Sequence, residues 1–328
     1  MEKLKSFFTK QGSISFVLCL VIVLVLSFST KIFWSEGNIQ SLQASIAPTA
    51  IVAFGMVMLL ICGVFDLSVG SIMVLSGIIC GKMFEANMPI PLVLIAGLLV
   101  GAFVGFLNGL FVGVLKINPL IATIGTMNIA SGIAMVIFAS SHKGQAEYQT
   151  VIKLPENFIN IGTGKFLGMY YMFWAMLILV IAVTIFQRYA PVGRQMYLLG
   201  DNLQAAKMMG FKTTRILIYV YIFTGLLCAI AGIFSVARSE QANRYLGEGI
   251  NIMVIISCIL GGASFVGGRG SAIGSLFGVI LMLLITDLIN LFGVQSAWQN
   301  VVVGSILIAV ITIDGYIIMR KKRELGKI

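Results

Sequence analysis

Long runs of apolar residues, separated by short polar or glycine-rich stretches, dominate this chain from end to end. A helix that crosses a bilayer needs roughly 20 predominantly apolar residues, and about ten segments have that character. They centre near residues 14–30, 46–63, 68–84, 91–114, 119–139, 169–187, 215–236, 250–264, 271–291 and 298–319. The pattern predicts an all-α integral membrane protein with about ten transmembrane helices, in one domain that covers residues 1–328.

Composition and charge support a location in the membrane. The chain is 59% hydrophobic and only 10% charged, and its mean hydropathy is +1.03, so polar residues are too few to cover a soluble globule of 328 residues. With ten spans and a cytoplasmic N-terminus, one side of the membrane holds fifteen of the 22 lysines and arginines. The positive-inside rule then places both termini in the cytoplasm. Basic loops beside anionic lipids account for the net charge of +10, so no nucleic-acid partner is expected.

Two polar, glycine-containing breaks interrupt the apolar pattern, and they resemble each other. Glycine lets the backbone bend and pack closely within a membrane, so such breaks indicate functional joints, and the pair suggests two related halves. We expect the Asp66 carboxylate to accept backbone amides where the helix after the first break begins, and the alternative role is contact with a substrate. The marked residues are Asp66, Leu67, Ser68, Gly70 and Ser71 in the first break, and Gly261, Gly262, Gly267, Gly268 and Gly270 in the second.

The segment 188–215 is too basic to be translocated and has the pattern of a short surface helix. Asp201 or Asn202 is a suitable cap for its start, and Gly210 for its end. Its apolar face is expected to be exposed and to consist of Ala205, Ala206, Met208 and Met209. Such a helix is typical of a docking site for a soluble protein, and the alternative is a helix that lies in the lipid interface.

The polar segment 140–168 is the long loop on the opposite side of the membrane. We expect it either to lie over an outer vestibule or contact an external partner, or to be a plain connector.

Glycines recur every four residues in the fourth apolar segment and form one narrow stripe on its helix. Such a stripe predicts close contact with another helix. The stripe comprises Gly97, Gly101, Gly105, Gly109 and Gly113.

Polar residues within apolar segments are costly, and four of them are candidates for the transport pathway: Asn108, Asn128, Asp287 and Asn290. Asp287 and Asn290 are three residues apart and therefore share a helical face. No spacing of the five cysteines suggests a metal site, and the single histidine, His142, leaves no His-based catalytic pair. The sequence 267–271 lacks the lysine of a phosphate-binding loop, so we expect neither ATP hydrolysis nor a bound cofactor.

Three motifs, in their order and spacing, resemble the permease subunits of bacterial ABC importers for monosaccharides, in the ribose, arabinose, xylose and galactose group. They are the stretch 65–71, the loop from 193 to 210, and the stretch 260–274, within a similarity that runs from about Asn38 to Asp314. Ser131 stands where many members of this family have arginine.

The resemblance implies a plasma-membrane (inner-membrane) complex. Two permease copies, identical or related, form the pathway, two copies of a cytoplasmic ATPase bind their loops, and an extracytoplasmic binding protein delivers the sugar. By the same resemblance the ATPase-coupling loop comprises Gly193, Arg194, Gly200, Asp201, Asn202, Ala205, Ala206 and Gly210.

The rival interpretation is an ion-coupled secondary transporter of a small polar solute. It requires an intramembrane acid such as Asp287 or Asp66 to bind the coupling ion, and it does not need the 188–215 segment for docking. An integral-membrane enzyme would require a cluster of catalytic polar groups near one interface, and the sequence shows none.

Overall fold

The computed structural model describes residues 13–140, 154–242, 245–295 and 297–324. A helix lies at each of the ten apolar segments identified in the sequence. These ten are α1 (Ser13–Ser29), α2 (Glu36–Ile61), α3 (Val69–Glu85), α4 (Ile90–Gly109), α5 (Pro119–Ser140), α7 (Tyr171–Tyr189), α10 (Thr213–Ser239), α11 (Ile250–Leu260), α12 (Ala272–Leu291) and α13 (Ala297–Glu324).

Shorter elements connect these helices. A 3-10 turn, Lys31–Trp34, precedes α2, and a π-helical turn, Leu110–Val114, extends α4. Three short helices and one antiparallel hairpin lie in the two long connections: α6 (Glu156–Thr163), α8 (Pro191–Asp201) and α9 (Leu203–Met208), with β1 (Lys165–Phe166) paired to β2 (Met169–Tyr170).

Six helices of the described ranges are long and apolar enough to cross a membrane: 36–61, 90–114 (α4 with its π-turn), 119–138, 171–189, 213–239 and 272–291. The apolar stretches of α1, α11 and α13 are shorter. Helix α2 is the centre of the bundle, because every residue from Ile46 to Ile61 is buried. The chain is therefore a helical membrane protein, as predicted.

The bundle has two distinct ends. At one end, which we call the break end, Ile61 and the second break lie together, and the backbone N–H of Gly268 donates to the Ile61 carbonyl oxygen (2.9 Å). At the other, the hairpin end, α6 and the β1–β2 hairpin lie against the start of α2, where the Tyr170 hydroxyl donates to Gln40 Oε1 (3.1 Å). Of the segment 140–168, which is predicted to be external, the structure describes residues 140 and 154–168, and there α6 packs against the last turn of α10, with Gly162 on the backbone of Arg238.

The glycine stripe of α4 faces α10, which confirms the predicted close packing. A Cβ atom on Gly105 would lie 3.0 Å from the Cα of Ile222, and one on Gly109 would lie 2.8 Å from the Cα of Ile218. Gly101 meets the backbone of Gly225 in the same way, so glycine faces glycine across the contact. Any side chain at Gly101, Gly105 or Gly109 would push the two backbones apart.

Helices α3 and α11 begin at the same point in the bundle and run in opposite directions. The backbones of Gly70 and Gly247 touch where the two helices start. From there α3 runs to the hairpin end, where Phe84 packs on Phe158 of α6, whereas α11 runs to the break end. Both helices contain the sequence Ile-Met-Val in their first turns, at 72–74 and at 252–254.

The related halves expected from the two breaks stay a prediction. The two breaks share only a local feature, since each follows a helix that ends with a glycine of positive φ, Gly63 (77°) and Gly262 (93°). The longer match relates α3 to α11 in opposite orientations.

Candidate functional site

The first break, residues 62–68, is held by a buried polar network around Asp66. The Asp66 carboxylate is fully buried and accepts from the backbone N–H (2.7 Å) and the hydroxyl (2.5 Å) of Ser68. Asn108 Nδ2, on α4, donates to Asp66 Oδ2 (3.0 Å) and to Ser68 Oγ (2.8 Å). The predicted role of Asp66, as an acceptor at the start of α3, is confirmed. These bonds satisfy backbone and side-chain groups that would otherwise be costly to bury.

Side chains from three further helices hold the backbone of the same break. The Tyr221 hydroxyl donates to the Phe65 carbonyl oxygen (2.9 Å), and the Leu67 N–H donates to Thr123 Oγ1 (3.1 Å). Asn251 Nδ2, in the first turn of α11, donates to the Leu67 carbonyl oxygen (3.3 Å). The break is thus a fixed feature of the fold, tied to α5, α10 and α11.

An open cavity of about 350 Å³ lies beside the start of α3 and the start of α11. Its walls come from α3, α5 and the segment before α11. The walls contain apolar groups and a few groups capable of hydrogen bonding. The lining residues are Leu67, Gly70, Ser71, Val74, Met127, Ser131, Ala134, Met135, Tyr245, Gly247, Glu248, Gly249 and Asn251. An apolar pocket with few convergent polar groups is a typical binding site for a small solute.

Three of the motif residues chosen from the sequence line this cavity: Leu67, Gly70 and Ser71. The four pathway candidates do not line it. Asn108 belongs to the Asp66 network, and Asn128 is exposed on α5, where it donates to the Ile124 carbonyl oxygen (3.0 Å). Asp287 accepts from Asn38 Nδ2 (3.1 Å) and Asn290 from Gln299 Nε2 (2.6 Å), both at the hairpin end.

The residues that sequence reasoning missed lie mainly on α5 and before α11. Ser131 was noted only for its departure from the family pattern, and Tyr245, Glu248 and Asn251 were not chosen as site candidates. A usable signal was present, because glycines at 247 and 249 flank Glu248 just before an apolar run.

The second break meets the first break and the end of α8 at a junction made of glycines. A Cβ on Gly200 would contact the carbonyl oxygen of Ile61 and lie 2.6 Å from the Gly268 nitrogen. Gly267 (φ 111°) and Gly268 (φ 73°) adopt conformations that disfavour other residues. The rings of Phe65 and Phe265, one from each break, are 5.2 Å apart. All three motifs found in the sequence therefore come together at the break end.

Helix α9 has the caps predicted from its sequence. Asn202 Oδ1 accepts from the backbone N–H of Ala205 (2.9 Å), and Gly210 (φ 78°) follows the last turn. The N–H groups of Gly210 and Phe211 donate to the carbonyl oxygens of Lys207 and Ala206, which is the Schellman arrangement.

The face that α9 exposes differs in part from the prediction. Ala206 is buried, with 1% of its surface exposed, because it is on the side that faces the bundle. The exposed large apolar side chains are Leu203 (48%), Met208 (89%) and Met209 (62%). Ala206 therefore anchors the helix, and the free apolar face comprises Leu203, Met208 and Met209 with Ala205 at its edge.

Comparison with known proteins gives a consistent assignment. Residues 38–311 match the family described as the branched-chain amino acid transport system / permease component. The chain belongs to this permease family.

Related permeases align over nearly their full lengths. This permease is 29% identical to the ribose import permease of Haemophilus influenzae, over 94% of each chain. It is 31% identical to the L-arabinose ABC transporter permease of Azospirillum brasilense, over 94% of this chain and 88% of that one. It is 30% identical to the galactose/methyl galactoside import permease of Haemophilus influenzae, over 98% of this chain and 99% of that one. No solved structure matches it.

Proposed function

We propose that this permease forms the membrane pathway for import of a monosaccharide, driven by a separate cytoplasmic ATPase and supplied by an extracytoplasmic binding protein in a bacterial inner membrane. The observation that carries the proposal is the cavity where α3 and α11 begin, in a chain whose relatives are named as importers of ribose, L-arabinose and galactose. A secondary transporter is disfavoured by this family membership.

The chemistry of the cavity favours a neutral, hydroxyl-bearing solute over an amino acid. A zwitterion would require a cationic and an anionic partner, whereas the lining residues that the structure describes include Glu248 and neither lysine nor arginine. Ser71, Ser131, Tyr245 and Asn251 are the types of group that pair with sugar hydroxyls.

Ten spans with both termini in the cytoplasm are the topology we propose. The three tryptophans, Trp34, Trp174 and Trp298, are at helix ends on the hairpin side, as in an interfacial aromatic belt. Basic residues of the 188–215 segment are at the break end, which is then cytoplasmic. The opposed helices α3 and α11 support two halves of inverted orientation.

A second permease copy is proposed to face α5. This helix exposes Asn128 between Gly125 and Gly132, and neither glycine has a neighbour within 4 Å of a Cβ position. Small residues around an exposed polar side chain are typical of helix contacts in membranes. The cavity is open and is lined by α5, so a second copy there would help to enclose it.

The α8–α9 segment is the proposed ATPase-coupling loop, with Gly193, Arg194, Gly200, Asp201, Asn202, Ala205, Ala206 and Gly210 as its motif residues. The proposal is supported by the exposed side chains of Leu203, Met208 and Met209. Membrane vesicles that contain this chain alone are expected to show no sugar-stimulated ATP hydrolysis, and an ATPase should co-purify with the chain from its native membrane. Hydrolysis by the isolated chain would contradict the proposal.

Filling the cavity is expected to block uptake. In the Ser131→Trp variant an indole occupies space that the solute needs, so uptake of labelled ribose, arabinose and galactose should fall to the level of vesicles without permease. Ser131→Ala is the control and should retain uptake of the sugar that the native complex imports. Equal uptake by both variants, at equal expression, would exclude this cavity from the pathway.

Asp287 is expected to be dispensable for energy coupling. In Asp287→Asn the amide oxygen can still accept the hydrogen bond from Asn38, so ATP-dependent uptake should remain at least about half of normal. A twofold loss corresponds to less free energy than the net contribution of one hydrogen bond, about 1 kcal/mol. The measurement is uptake with and without a proton ionophore at constant ATP. Uptake abolished both by the ionophore and by Asp287→Asn would favour the ion-coupled transporter instead.

A further inference from the structure

Three contacts fasten the α7–α8 segment to the second break. At the end of α7, Gln187 Oε1 accepts from the backbone N–H of Ala272 (3.0 Å). On α8 the Tyr197 hydroxyl donates to the Gly270 carbonyl oxygen (2.9 Å), and one turn later Gly200 packs on Gly268. The contacts are spread over both helices, so together they oppose rotation as well as separation.

The environment of these contacts indicates that they persist. Gln187 is buried, with 5% exposed, and its bond to Ala272 is shielded from water. Burial raises the pKa of Tyr197, so its hydroxyl keeps the proton that it donates. Gly200 has no room for a side chain against Ile61 and Gly268, so the helix and the loop interlock.

The link from α8 to the first break passes partly through the second. Gly267 is next to Gly63, and Phe265 packs on Phe65, two residues before the cavity residue Leu67. A displacement of the second break would therefore reach the cavity through backbone contacts and one ring pair.

We infer that α8 and the loop 262–272 move as one rigid body when the importer works, with Gln187 and Tyr197 as positioning residues. Movement of α8 then carries the start of α12 and the ring of Phe265 with it. The inference rests on the proposed function, because it takes the ATPase to act on α8–α9.

A reversible cross-link tests the inference. A Cβ on Gly268 would lie 3.1 Å from the Asp201 Cβ, slightly inside the roughly 3.5–4.5 Å of a disulfide, so after a small shift of the loop Asp201→Cys with Gly268→Cys should form one on oxidation. The double-cysteine variant also carries Cys62→Ala, because Cys62 adjoins Gly63 at the same junction and could form a competing disulfide. Inside-out vesicles of the full importer are assayed after oxidation and again after reduction. A rigid body tolerates the bond, so transport in the oxidised form should stay within about twofold of the reduced form. Transport that is lost on oxidation and restored by reductant would overturn the inference.

A second variant tests the inference if cysteine at the strained position 268 prevents the double-cysteine variant from folding. Tyr197→Phe removes one partly buried hydrogen bond and is expected to raise the ATP consumed per sugar transported by about fivefold, with the ATPase still bound. An unchanged ratio in this variant would overturn the inference. Co-purification of the ATPase with the unmodified chain is scored separately, and its absence would instead contradict the proposed function.

Discussion

Met208→Asp is expected to abolish uptake while leaving the permease folded. Met208 is 89% exposed on α9, so the carboxylate is solvated in the isolated permease and should not disturb the bundle. Against an apolar partner surface the same charge would be buried without a counter-ion, which costs several kcal/mol and weakens docking by at least about 100-fold. The measurements are uptake and ATPase co-purification, and Ala205→Asp should have the same effect from the edge of that face.

Two controls separate docking from folding in this experiment. Met208→Leu keeps the apolar contact and should retain uptake. Ala206→Asp places the charge at a buried position, so it should lower the amount of folded permease. Normal uptake in both Met208→Asp and Ala205→Asp would exclude α9 from ATPase docking.

Gly105→Leu is expected to cause a large loss of stability. The new side chain would collide with the backbone of Tyr221 and Ile222. Backbone atoms cannot move aside as a side chain can, so α4 and α10 must separate where their backbones are now in contact. We expect this overpacking to lower the free energy of unfolding by more than about 2 kcal/mol, and therefore the melting temperature in detergent by about 5 °C or more. Gly109→Leu, against Ile218, should behave alike.

Gly113→Ala is the matched control for the stripe, since a Cβ there keeps 3.3 Å or more from its neighbours. It should melt close to the native permease. Native melting temperatures in both leucine variants would show that the α4–α10 contact is not close in the membrane.

The helices were predictable because lipid demands apolar residues and helical hydrogen bonding together. The same reasoning found the glycine stripe, since only small residues allow backbones to touch, and the caps of α9, since Asn202 and Gly210 act locally. Asp66 was also recognised, because a carboxylate just before a helix start has backbone amides to bind.

The cavity could not be predicted, because it depends on contacts distant in sequence. Asn251 reaches Leu67 across 184 residues, and nothing in the local pattern near either residue indicates that pairing. The surroundings of Asp287 likewise depend on a distant contact. A polar side chain within an apolar run predicts a pathway role, and the structure pairs this one with Asn38 at the hairpin end. The burial of Ala206 depends on how α9 lies against the bundle, which helical periodicity alone does not determine.

The opposed starts of α3 and α11 have a bioenergetic consequence. Each helix directs its N-terminus, with a partial positive charge, towards the same place beside the cavity. Asp66 at the start of α3 and Glu248 just before α11 each place an acidic group beside one of these N-termini, so dipole and acid offset each other. The space for a neutral molecule thus gives a sodium or hydronium ion no net attraction, which helps the membrane to keep its ion gradients while the importer turns over.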